Sequence, residues 1–197
     1  MDRFVDVGNG LIYFHILKLR KQEMIMNKLP SQVSEALVPL FEELPLSRAL
    51  ECLIVTGASQ PALVDCVESV LQDRALDSPV LQAGIWLFVD DLDRSHQICQ
   101  GIDNATGSFW HGIMHRREGD FSNSHYWFNQ VGDHPAISAV GGYDPHKYIQ
   151  AVETLSVDTE DVDKLETGVE SDLINLQRRE WETLFIWSAT EYKGLYV

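Results

Sequence analysis

The chain has 197 residues, 45% hydrophobic, 10% aromatic and 23% charged, which suits one globular domain able to bury a core without staples. A formal charge of −15 argues against a nucleic-acid binder, which needs basic patches for phosphates, and against adsorption to anionic membranes. Three cysteines, Cys52, Cys66 and Cys99, are an odd number without CxxC spacing; they predict reduced thiols and a cytoplasmic protein.

In chain order, residues 1–26 read as an N-terminal appendage, or an upstream start that native translation does not use. The apolar run LIYFHIL, Leu11 to Leu17, is too short to span a bilayer. Lys18, Arg20 and Lys21 follow it, the reverse of a signal peptide. An ordinary first strand or helix is the other reading. Residues 27–197 read as a single helical domain. Ser31 is the expected cap of SQVSEALVPLFEEL, closed by Pro45. Leu46 to Thr56 is expected as a second short helix ending at Gly57, although its LIVT run is the one β-branched stretch after residue 30. Pro61 opens PALVDCVESVLQDRAL, and Pro79 opens one long segment through Gln100.

GIDNATGS is predicted as a loop, with Ser108 capping FWHGIMHRRE and Gly119 and Asp120 breaking it. Ser122 or Asn123 is expected to cap a helix through Val131, ended by Gly132 and Pro135. Asp144 and Pro145 open the next helix. Between Glu153 and Asp172 stand eight carboxylates and one lysine, Lys164, which reads as a solvated loop and helix start. A long last helix is expected from about Glu170 to Tyr192. The fold class is therefore all-α, a compact irregular bundle of six to eight helices.

Polar residues on apolar helix faces are the candidates for chemistry. On the Pro79–Gln100 wheel, Ser95 and His96 fall inside the arc of Leu81, Ile85, Phe88, Val89, Leu92 and Cys99, with Asp93 at its margin. That predicts a buried or half-buried histidine beside an acid: a ligand, or a core histidine satisfied by hydrogen bonds. In the last helix, Gln177, Glu180 and Ser188 share the arc of Leu173, Ile174, Trp181, Leu184 and Phe185. A buried Glu180 needs a partner or its proton, so it is either a site residue or one half of a structural pair with an arginine.

The helix FWHGIMHRRE is the densest case. Phe109, Trp110, Ile113 and Met114 form its apolar side, with Arg117 at the centre. His111, His115 and Glu118 make a stripe at i, i+4 and i+7, the spacing a metal site on a helix requires. The stripe points about 135° from the apolar centre, so plain exposure competes with a lined pocket.

HGIMH is not the HExxH of zinc proteases, and no pair of ExxH motifs supports a di-iron centre. No GxGxxG, P-loop or GxSxG is present. His125, His134 and His146 lie near helix ends or turns, where capping explains them.

From about Ala83 to Pro135 the chain carries W-L-x-x-D-x-L-D-x-S-H-x-I-x-Q, then G-S-F-W-H-G-I-M-H-R-R-E-x-D, then Y-W-F-x-x-V-G-x-H-P, with QRREWETLF near the end. This pattern resembles a protein family of planctomycete-type bacteria and some other microbes that has no known activity. The resemblance covers about half of the chain. It implies that the two polar-rich segments belong to one fold, and it implies no function.

The expected site is an internal pocket lined by His96, Asp93, Arg117, Glu180 and Trp110, with His111, His115 and Glu118 as metal ligands. It would hold a small ligand or a divalent zinc, iron or manganese ion. A His or Glu would act as base, and Arg117 would hold a carboxylate or phosphate. The competing reading is a scaffold domain whose polar residues only fix helix register and whose working surface is aromatic or acidic, with Trp110, Tyr126, Trp127 and Phe128 as candidates where exposed.

Overall fold

The computed structural model describes residues 24–157 and 167–191. The expected appendage lies mostly outside them, but Ile25, within its bounds, is buried in the core. The helices are α1 (Ser31–Glu43), α2 (Pro61–Val70), α3 (Pro79–Phe88), α4 (Leu92–Cys99), α5 (Ala105–Glu118), α6 (Phe121–Val131), α7 (Pro135–Val140), α8 (Pro145–Val157) and α9 (Thr167–Thr190), with a 3₁₀ turn at Arg74–Leu76. Eight of these α-helices exceed six residues, and no strand occurs among the described residues. The all-α bundle is as expected. No helix among them is long and apolar enough to cross a membrane.

α5 is the axle of the bundle. Every residue from Thr106 to Arg117 is buried, because α3 and α4 cover one side and α6 the other. Both glycines that face these neighbours permit a close approach. A Cβ on Gly84 of α3 would stand 2.8 Å from the Trp110 ring, and one on Gly112 of α5 would stand 2.7 Å from Phe128. Gly112→Ala must therefore push α6 outward, a strain of about 1–3 kcal/mol for overpacking that chemical denaturation would register. Side chains tie the same seams: Ser95 Oγ donates to the Ala83 carbonyl at 2.9 Å, and Ser124 Oγ to that of Gly112 at 2.7 Å. α9 closes the bundle over α3, α7 and α8, with Trp181 Nε1 donating to the Gly84 carbonyl at 2.8 Å.

Four local expectations are corrected. The Pro79–Gln100 segment is two helices, because Asp90 takes the left-handed conformation (φ 63°) and Asp91 caps α4 by accepting from Arg94 N. Leu46 to Thr56 is no helix: Leu50 is also left-handed (φ 56°), and distant side chains hold its carbonyls. Arg178 Nε donates to Ala49, Gln177 Nε2 to Leu50 and Cys52, and Arg117 to Cys52. α5 starts at Ala105, ahead of Ser108, because Asn104 accepts from the backbone of Thr106 and Gly107. α6 is capped by Asp120, not Ser122 or Asn123. The Gly119 break (φ 84°) and the Asp144 cap fall where expected.

Candidate metal centre

α4 and α5 are brought together by the chain reversal at the loop 100–104, and this sets His96 against His111 and His115. One ligand atom from each of the three lies within 4.8 Å of the others. The ring centroids of His96 are 4.8 Å from His111 and 5.1 Å from His115, and those of His111 and His115, one helical turn apart, are 4.8 Å apart. Trp127 of α6 stacks on His111 at 4.0 Å. The two histidines of the stripe thus face inward, while Glu118 at its end is exposed. Their distance from the apolar side of the wheel did not expose the two rings, because α6 covers the second face.

His111 is 2% exposed, and neither of its ring nitrogens has a hydrogen-bond partner. A buried imidazole without partners costs about 1–3 kcal/mol per unmet group. Burial first, then the neighbouring His115 and His96, push its pKa from 6.5 down to about 3. His96 is half-buried and its pKa is also lowered, by burial first and then by His115. Both rings are therefore neutral, the state a metal ligand needs. His115 is 6% exposed, and its Nδ1 lies 2.7 Å from the Glu118 carboxylate. That contact orients the ring and leaves Nε2 free to coordinate. Glu118, Asp120 and His115 form a second grouping within 4.8 Å, although Asp120 is engaged in the α6 cap, accepting from Asn123 N at 3.1 Å.

A pH dependence follows for the metal-free protein. His111, His96 and His134 all have native pKa values below 6.5, so the unfolded chain binds more protons. Their contribution to stability is complete above about pH 6.5 and is lost as the pH falls toward 3. Melting temperature against pH should fall through this window, and less steeply in His111→Phe. An identical slope in the two proteins would mean that His111 does not titrate on unfolding.

Glu118 and Asp93 reach a neighbouring surface cleft of about 640 Å³, also lined by Asp65, Asp90, Asp91 and Arg94. Asp93 is exposed, and its charge acts on His96 three residues further along α4.

The rest of the expected pocket divides differently. Glu180 stands in neither metal-type grouping among the described residues. Its oxygens accept from Arg116 Nη1 at 2.9 Å and Nη2 at 2.5 Å, and from the Tyr143 hydroxyl. Arg116 and Glu180 are both 0% exposed, and the guanidinium lies 4.2 Å from the centre of the Tyr148 ring. Burial lowers the Arg116 pKa, but Glu180 overrides it, so the guanidinium stays charged. Burial and then Glu180 raise that of Tyr143, which stays a phenol and a donor. Glu180 is the acidic half of a buried ion pair with Arg116.

Arg117 does point inward, but its fork is filled. Nη1 donates to the Leu87 carbonyl at 2.8 Å, and Nη2 to Asp90 at 2.6 Å and to the Cys52 carbonyl at 3.1 Å. It fastens the end of α3, and the anion it faces is the Asp90 carboxylate. Trp110 is fully buried against Gly84 and belongs to the core. The aromatic surface of the scaffold reading does not form either: Trp110 and Phe128 are buried, Trp127 covers His111, and Tyr126 alone is largely exposed.

Sequence reasoning missed Arg116 and Tyr143, and it took Trp127 for a surface candidate where the ring stacks on His111. Arg116 follows Ile113 by three and Gly112 by four, so helical spacing put it on an inward face. Its charge hid that signal.

Compared with family models, with curated proteins and with solved structures, the chain matches none.

Proposed function

We propose that this protein binds a divalent transition metal through His96, His111 and His115, with Glu118 holding His115 in position. One observation carries the reading: His111 is buried with both ring nitrogens unpartnered, and a nitrogen of that ring lies within 4.8 Å of ligand atoms of His96 and His115. A bound ion supplies the partner that the fold withholds. Three imidazole ligands suit zinc or iron, and suit manganese less well. Three protein ligands leave a coordination position open, the arrangement of catalytic zinc sites as opposed to structural ones. An acid-lined cleft lies beside the site at Glu118 and Asp93. A polyanion is disfavoured there, since five carboxylates and one arginine line the cleft.

The test is metal content of tag-free protein, by elemental mass spectrometry after purification without chelators. Stoichiometric zinc or iron is expected, and cobalt offered to stripped protein should show the visible absorption of a histidine-ligated ion. A folded sample that retains no metal, and binds none when zinc, iron and cobalt are offered, refutes the reading.

A further inference from the structure

A second pair of histidines lies away from this centre. His125 of α6 and His146, in the first turn of α8, face each other with Nδ1 atoms 2.7 Å apart and rings nearly parallel, 6° between planes and 5.0 Å between centroids. Both rings are half-buried in the seam where α6 and α8 pack. Two nitrogens at that distance must share one proton. One ring carries hydrogen on Nδ1 and donates, while the other carries it on Nε2 and accepts. A second proton at the contact sets two N–H groups and two positive charges face to face.

We infer that His125 and His146 form an acid-sensitive latch that holds α8 on α6 when they share a single proton and releases it when both rings are protonated. Two carboxylates offset part of the repulsion, Glu153 at His125 and Asp144 at His146. His125 is acted on by His146 and by Glu153, two turns along α8. Beside His146, Asp144 caps α8 through the amides of His146 and Lys147, and its other oxygen lies 3.7 Å from Lys147 Nζ. α5, the other helix packed on α6, turns His111 toward Trp127 and His115 toward Glu118. On its far side α8 meets α9 at Tyr148, whose hydroxyl donates to the Leu173 carbonyl at 2.8 Å. Burial and then His146 lower the His125 pKa. A lowered native value means that the latch stabilises the seam above about pH 6.5 and loses that contribution as the pH falls.

The latch does not depend on the metal reading and is tested on metal-free full-length protein. Amide hydrogen exchange in α8, corrected for the intrinsic pH dependence, reads the opening of the seam. Below the titration of the pair, opening should rise by about tenfold per pH unit for each proton taken up. His146→Gln, which removes one titrating ring, should flatten that rise, with His125→Gln as the parallel variant. Nitrogen chemical shifts of the wild-type rings give a second measurement: at neutral pH one ring should carry its proton on Nδ1 and the other on Nε2. Wild-type α8 protection unchanged down to about pH 5, an equal slope in either glutamine variant, or both rings as the same tautomer at neutral pH would overturn the proposal.

Discussion

Glu180→Gln is expected to lower stability by about 3–5 kcal/mol, because it leaves the Arg116 charge buried without a counter-charge. Both groups are 0% exposed, so water cannot replace the missing partner. Arg116→Met should cost about the same, for the mirror reason. The double variant, Arg116→Met with Glu180→Leu, should lose less than either single change, since removing both charges also removes both desolvation penalties. Tyr143→Phe deletes a neutral donor to an acceptor that keeps Arg116, and should cost no more than about 1–3 kcal/mol. Urea denaturation of the four variants gives the whole series. A Glu180→Gln protein as stable as the parent would mean that the pair is not desolvated as its geometry requires.

His111→Phe is expected to separate a metal site from a polar core. In the metal-free protein it replaces two unpartnered nitrogens with a ring of similar size, so stability should hold or rise. Metal affinity should fall by more than about 100-fold. That exceeds the 10–100-fold range for an outer carboxylate, into which Glu118→Gln should fall through His115. The parent should gain about 2.7 kcal/mol at a free metal concentration of 100 Kd, and His111→Phe should gain almost none. Calorimetric titration with zinc, followed by melting with and without the ion, measures both. If His111→Phe unfolds without metal and the parent gains nothing from zinc, the ring is core packing.

The amino-acid sequence by itself determined the helical class. Proline at the first helical positions 61, 79, 135 and 145, glycine at 119 and 132, and 3.6-residue spacing act within one or two turns of chain. The same local physics placed His96, Arg117, Gln177 and Glu180 on inward faces, where the structure has them buried or half-buried. It also grouped His111 with His115, since residues four apart share a face on any helix.

Tertiary structure decided the rest, because the missing information lay in residues far apart in sequence. The exposure of the His111 stripe depended on what packs beyond it, and α6 supplied Trp127. The partner of Glu180 came from Arg116, 64 residues away. The break at Asp90 and the non-helical course of Leu46 to Thr56 conflict with local propensity. They are held by Arg117, Gln177 and Arg178, which bind backbone carbonyls that a helix would have kept for itself. A helical wheel reports which way a side chain points. What it meets there, an ion pair for Glu180 and two histidines for His111, is a property of the packed bundle.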